Sequence, residues 1–225
     1  MEENLARCAR CSVPAGERLC QTEDGRAPDF CPTRNSGPII EASLVEMKKD
    51  PSVMVFARQA SIQEAEGYAN KGLGYARLKP IKPRIQETIE FAQRMNYSRL
   101  GLVFCIGLRR EAKVVERLLT VAGFDVVSAM CKLGRTDKKV IGIDNDQQIC
   151  PGGFEAMCNP VAQAFVLNDA KTEFNILLGL CVGHDSLFLK YAEAMCTVLA
   201  AKDRLLGHNP LAAIYTLDSY YRSLK

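Results

Sequence analysis

Residues 175–185 read Asn-Ile-Leu-Leu-Gly-Leu-Cys-Val-Gly-His-Asp, and the fold is decided by how this stretch is read. Ile176, Leu177, Leu178 and Leu180 form a short apolar run of the kind that fits a strand covered on both faces. The run breaks at Gly183, and a helix-like pattern follows from Ser186. Cys181, His184 and Asp185 are therefore expected where a parallel strand hands over to its helix. In open α/β sheets that carboxyl edge is where ligands bind.

The same texture recurs outward from this point. Leu100 to Cys105 reads as a buried strand, and Arg109 to Ala122 as an amphipathic helix with Ala112, Val115, Leu118, Leu119 and Ala122 on one face. Gly123 ends that helix, and Asp125 to Cys131 is a second strand. Cys158-Asn159-Pro160 opens the next helix, with Asn159 as cap and Pro160 at the first helical position. A strand from Thr197 to Ala201 leads to Lys202-Asp203-Arg204. His208-Asn209-Pro210 then opens a last helix reaching Leu224. Strands alternating with helices imply parallel pairing through right-handed crossovers, so every strand's carboxyl end should lie on one edge. The expectation is an α/β, Rossmann-like, three-layer domain over residues 97–225.

Residues 39–96 read as a helical segment serving as scaffold, with Pro51 and Pro83 opening helices and Gly72 and Gly74 breaking the pattern. Residues 1–38 differ from everything after them. They hold Cys8, Cys11, Cys20 and Cys31 with many breakers and little periodicity. Cys8 and Cys11 have the C-x-x-C spacing with which two thiolates grip one metal from a tight turn, and Cys20 and Cys31 complete four ligands. A segment this short and polar cannot bury its own core, so a metal staple is expected, either zinc or an iron–sulfur cluster.

Composition narrows the class. The chain has 225 residues, 48% hydrophobic and 24% charged, as a soluble globular protein does. A net charge of +3 is too small to argue for nucleic acid or an anionic membrane, and no apolar run reaches the length of a membrane span. The start lacks the basic and then apolar pattern of a secretory signal, so a cytoplasmic protein is expected. Ten cysteines in that compartment point to metal or redox chemistry rather than to disulfides. Cys196 alone reads as a small buried hydrophobe. Composition leaves the oligomeric state open.

The expected site is the sheet's carboxyl edge. Cys105, Cys131 and Cys181 end strands, Cys158 precedes a helix cap, and the chain's two histidines, His184 and His208, lie in strand-to-helix connections. Two chemistries compete. In one, Cys105, Cys131 and Cys181, with Cys158 or Cys150, hold an iron–sulfur cluster or a metal. In the other, Cys158 is a thiolate nucleophile or redox centre, His184 its base, and Asp185 an orienter or plain cap. Asp203 and His208 stand as further catalytic candidates. Arg109, Lys132, Lys202 and Arg204 also follow strand ends and favour a small anionic substrate. Neither a G-x-G-x-x-G nor a phosphate loop is present, which disfavours a conventional nucleotide site.

These residues together resemble a known family. Cys31-Pro32, Cys158-Asn159-Pro160 with Gln163 and Asn168, Gly179 to Asp185 with Phe188 and Lys190-Tyr191, and Lys202-Asp203-Arg204 with His208-Asn209-Pro210 carry the likeness. They are similar to an uncharacterised prokaryotic cysteine-rich family, the domain of unknown function 1847. The resemblance implies metal binding and brings no reaction with it. A non-catalytic zinc carrier or sensor and a thiol redox sensor stand as alternatives to an enzyme.

Overall fold

The computed structural model describes residues 5–225. The first four residues, on which part of the reading of the chain's start rests, lie outside that range. The chain divides into two compact units, residues 1–62 and 63–225.

In the first unit, the cysteine-rich segment makes two single 3₁₀ turns, Cys8–Arg10 and Ala15–Glu17, and then the helical turn α1 (Pro32–Asn35). Cys31 is the N-cap of α1, and Pro32 stands at the first helical position, where its missing N–H is no loss. Two longer helices follow, α2 (Gly37–Lys49) and α3 (Pro51–Glu66). Pro51 opens α3 as expected, and Asp50 accepts from the Ser52 amide at 2.8 Å.

The second unit begins with a detail that hydropathy did not foretell. β1 (Tyr68–Ala69) pairs antiparallel with β2 (Lys79–Pro80) across the glycine-broken turn. The break expected at Gly72 and Gly74 thus holds a two-residue strand pairing, which ties the turn shut before α4 (Arg84–Arg94) starts. Pro83 is the N-cap of α4 rather than its first residue. Lys82 pairs with Glu90 at 2.6 Å, Arg94 pairs with Glu66, and Gln63 donates to Glu90 at 2.9 Å.

The sheet contains β3 (Arg99–Phe104), β4 (Asp125–Met130), β5 (Phe174–Leu178) and β6 (Met195–Ala200), all parallel, in the order β4-β3-β5-β6. β5 is buried at every position, which explains its unbroken apolar run. The connection through α5 (Arg109–Val121) runs from β3 to β4 and that through α6 (Pro160–Asp169) runs back from β4 past β3 to β5, so right-handed crossovers put these helices on opposite faces. α7 (His184–Tyr191) joins α6, and Val103, Ala129 and Leu177 pack there against Ala164, Leu167 and Phe188. Phe91 of α4 meets Phe174 of β5 at 5.4 Å between ring centroids, on the other face. Three layers result.

Gly101 sets how closely α6 approaches. A Cβ there would stand 2.1 Å from Asn175 Oδ1 and 2.3 Å from Leu167 Cδ2. Asn175 is fully buried and accepts from Thr172 Oγ1 at 2.8 Å, so a polar side chain occupies the space glycine leaves.

The last helix is shorter than its periodicity predicts. α8 covers only Leu211–Tyr215, followed by turns and a 3₁₀ turn at Arg222–Leu224. Leu211, Ile214, Tyr215, Tyr220 and Leu224 are exposed, so no packed face extends the helix. Among the described residues, no helix is long and apolar enough to cross a membrane.

Candidate functional site

The strand order makes the edge a specific place. Connections leave β3 toward β4 on one side, and β5 lies on the other. The switch point is therefore between the carboxyl ends of β3 and β5. Cys105 is the first residue after β3, and Cys131 the first after β4. Cys181 lies three residues beyond β5, past the left-handed Gly179 (φ 63°). A Cβ on Gly179 would meet Leu108 Cδ1 at 2.1 Å, so both conformation and space require glycine where the chain turns toward Cys181.

Cys158 reaches the same edge by another route. The loop from Lys132 to Met157 folds back on itself: Met157 donates to Thr136 at 2.7 Å, and Lys138 pairs with Glu155 at 2.6 Å. The Asn159 amide donates to the Cys131 carbonyl at 2.8 Å. Asn159 Oδ1 then accepts from the Ala162 amide at 3.0 Å, capping α6 as expected. Gln163, fully buried, anchors the start of the helix by donating to the Ala129 carbonyl at 2.7 Å. Both ends of the loop are thereby held side by side, and the two thiols meet.

The thiols of Cys131 and Cys158 act on each other, and this divides their acidities. The Cys131 hydrogen bond lowers Cys158 to about 5, assisted by the charges of Lys132 and His184 and opposed by burial. Cys131 is driven well above the ordinary thiol value, first by that same contact and then by burial. The Ile106 amide donates to Cys131 Sγ at 3.3 Å. Burial raises Cys181, as does the neighbouring Cys105 thiol, while Arg204, donating to Cys181 Sγ at 3.0 Å, opposes this. Of the three thiols Cys158 is thus the most acidic, with Cys131 and Cys181 shifted the opposite way.

Cations gather around this floor of thiols. Lys132 donates to the Ala156 carbonyl beside Cys158. The point where a Gly107 Cβ would lie is 3.2 Å from Lys202 Nζ and 3.9 Å from Cys105 Sγ. The ammonium group and that thiol therefore both border the space that Gly107 leaves open. His184 opens α7, and its Nδ1 is buried with no hydrogen-bond partner among the described residues.

Other expected site residues are engaged elsewhere. Asp185 Oδ1 accepts from the Ser186 amide at 2.8 Å. Asp203 Oδ1 accepts from the amides of Leu205 and Leu206 at 3.0 and 2.7 Å. His208, in a left-handed conformation (φ 65°), accepts at Nδ1 from the Asp203 amide at 3.2 Å. These are turn-forming contacts. Arg109 lines a groove of about 550 Å³ along α5 with Phe104, Lys113 and Arg117. Cys150 is exposed, and Cys196 packs against the apolar core, where burial raises its thiol. Cys8 and Cys20 are exposed, and Cys11 and Cys31 half-buried. The Arg34 amide, ahead of the Thr33 one, lowers Cys31. Among the described residues, no three His, Cys, Asp or Glu side chains stand close enough to hold a single metal ion.

Gly107, the Ile106 amide and Gln163 were not foreseen as parts of the site. Only Gln163 left a trace in the sequence, as a long polar side chain on a helix that is otherwise apolar nearly all round.

The family description "Protein of unknown function (DUF1847)" matches residues 31–199, which include all four edge cysteines and His184. The chain belongs to this family. An uncharacterized protein of Methanocaldococcus jannaschii is 37% identical over 215 residues, covering 96% of this chain and 95% of that protein. This likeness extends past β6, through Lys202, Arg204 and His208. No solved structure matches the chain.

Proposed function

We propose that this DUF1847 protein is a sulfur-handling thiol enzyme in which Cys158 is the nucleophile and Cys131 the thiol that resolves its adduct, acting on a small anionic substrate. The carrying observation is the juxtaposition of Cys131 and Cys158 across the Asn159 amide–Cys131 carbonyl bond at 2.8 Å, with the charges of Lys132 and His184 acting on Cys158. The Cys158 thiolate attacks an electrophilic sulfur, and the leaving group departs with the electron pair of the broken bond. Once Cys158 has lost its charge, the influence that keeps Cys131 protonated is gone. Cys131 can then ionise and displace the adduct, closing a Cys131–Cys158 disulfide. A centre that works as free thiols suits a reducing, cytoplasmic setting.

Substoichiometric diamide followed by peptide mapping tests the pairing. The expected first linkage is Cys131–Cys158. Linkage among other cysteines, with these two left free, contradicts the reading.

A second reading, metal binding, is supported by His184 Nδ1, which is buried without a hydrogen-bond partner among the described residues, and by the effect of His184 on Cys158. The donor set is of the soft kind that zinc and iron–sulfur clusters take, with Cys105, Cys131, Cys158 and Cys181 as ligands at the edge. Cys8, Cys11, Cys20 and Cys31 are the corresponding set in the first unit. A bound cluster would supply one-electron chemistry at the edge, and zinc there or in the first unit would suit a carrier or sensor. The chain's own part would be to present ionised thiols. Anaerobic purification with iron, zinc and sulfide analysis separates these readings. Protein free of metal whose Cys158 remains reactive favours the thiol enzyme.

A further inference from the structure

The thiol reading leaves the substrate class open, and the charges at the edge narrow it. Lys202 and Arg204 form no ion pair among the described residues. The two carboxylates in the same connections, Asp185 and Asp203, accept from backbone amides instead. Lys132 points its ammonium at a carbonyl, which leaves its charge uncancelled. The thiols are soft sulfur atoms, and Lys132, Lys202 and Arg204 at the same edge are in no ion pair among the described residues, Arg204 donating instead to Cys181 Sγ at 3.0 Å.

Gly107 leaves room between Lys202 and Cys105. A Cβ there would lie 3.2 Å from Lys202 Nζ, so the end of that side chain would have to give by a few tenths of an ångström. A phosphate or carboxylate would satisfy the cations and offer the thiols nothing to react with. An uncharged disulfide would satisfy the thiols and leave the cations unanswered. A ligand answering both carries anionic oxygens on one end and an electrophilic divalent sulfur on the other.

Resting on the thiolate reading above, we infer that the ligand is a sulfane-sulfur oxyanion, of which thiosulfate is the simplest. Cys158 Sγ attacks the outer sulfur and a new S–S bond forms. The S–S bond of thiosulfate breaks, and its electron pair leaves with sulfite, held by Lys202 and Arg204. Cys158 now carries a persulfide anion. The Cys131 thiol then attacks Cys158 Sγ, giving the Cys131–Cys158 disulfide and HS⁻, the Cys131 proton leaving on the sulfide. The dithiol is oxidised by the same two electrons that reduce the sulfane sulfur, so a single turnover needs no other reactant.

The experiment is a single turnover of the reduced full-length chain with thiosulfate, reading sulfite, sulfide and the mass of the Cys158 peptide. One sulfite and one sulfide per chain are expected from the native protein. Cys131→Ser should release sulfite but no sulfide and hold one extra sulfur on Cys158, while Cys158→Ser should release neither. Lys202→Ala and Arg204→Ala should each slow sulfite release roughly tenfold or more, and leave iodoacetamide labelling of Cys158 intact. No sulfite and no added sulfur, with Cys158 still labelling rapidly, overturns the substrate class and leaves the thiolate reading standing. Glutathionylation of Cys158 by oxidised glutathione without any transfer from thiosulfate overturns it too. Failure of Cys158 to label at all strikes the thiolate reading itself.

Discussion

The main-chain amide of Asn159 donates to the carbonyl of Cys131 at 2.8 Å, and this bond brings the two ends of the Lys132–Met157 loop together. Cys131 continues from the end of β4, and Cys158 sits one residue before the cap of α6. The single bond therefore joins a strand end to a helix start. The thiol pair at the neck of the loop is a consequence of that backbone geometry rather than of sequence proximity.

Removing one partner of the pair should show in the acidity of the other. The contact with Cys131 is the largest cause of the depression of Cys158 to about 5 from an ordinary 9.0. In Cys131→Ala the Cys158 value should rise toward 9.0, with Lys132 and His184 still holding it partly down. Below the native value both proteins react slowly. Between the two values the native thiol is ionised and the variant is not, so alkylation at about pH 6 should slow by roughly tenfold or more. Above the variant's raised value the rates should converge. Stopped-flow or mass-spectrometric alkylation profiles across pH provide the check.

The close approach of α6 to the sheet predicts a severe effect at Gly101. An added Cβ meets Asn175 and Leu167 well inside van der Waals contact, so Gly101→Ala should destabilise by about 1–3 kcal/mol. Gly179→Ala should lose a similar amount through the clash with Leu108, plus about 1 kcal/mol of left-handed backbone strain. Gly153→Ala, with nothing near its Cβ, is the control and should be close to neutral. Urea unfolding midpoints measure all three.

How much of this was legible beforehand differs between fold and site. β5 announced itself because burial on both faces demands an unbroken apolar run, and the Asn159-Pro160 cap because its chemistry is local. The positions of Cys105 and Cys131 just after parallel strands, of Cys181 shortly beyond another, and of Cys158 before a helix cap, followed from parallel pairing and cap chemistry. Lys202 was legible as a residue after a strand end, but its place over Gly107 was not, because that depends on a missing side chain. Asp203 and His208 carried titratable groups in the expected connection, yet both turned inward to close a tight turn. Such turn chemistry competes with catalysis for the same residue types. The periodicity after Pro210 predicted a long helix that nothing in the fold packs against.

The acid behaviour of the second unit should trace in part to Glu90. Hydrogen bonds from Lys82 and then Gln63 hold its carboxyl at about 2, against an ordinary 4.5. A depressed carboxyl contributes stability that is complete above about 4.5 and is lost as pH falls toward 2. Glu90→Gln should therefore be less stable at neutral pH by about 1–2 kcal/mol, and its unfolding curve should merge with that of the native chain near the lower limit. Thermal melts at several pH values below 5 would reveal a constant offset instead if Glu90 were uninvolved.

The most direct test of the thiol centre is a competition among all ten cysteines for limiting iodoacetamide at about pH 6, read by peptide mapping of the reduced, metal-free chain. Cys158 should be modified first and fastest, ahead of the fully exposed Cys150, with Cys131 among the last. Equal labelling of Cys158 and Cys150, or labelling of Cys131 before Cys158, would contradict the assignment of Cys158 as the reactive thiolate.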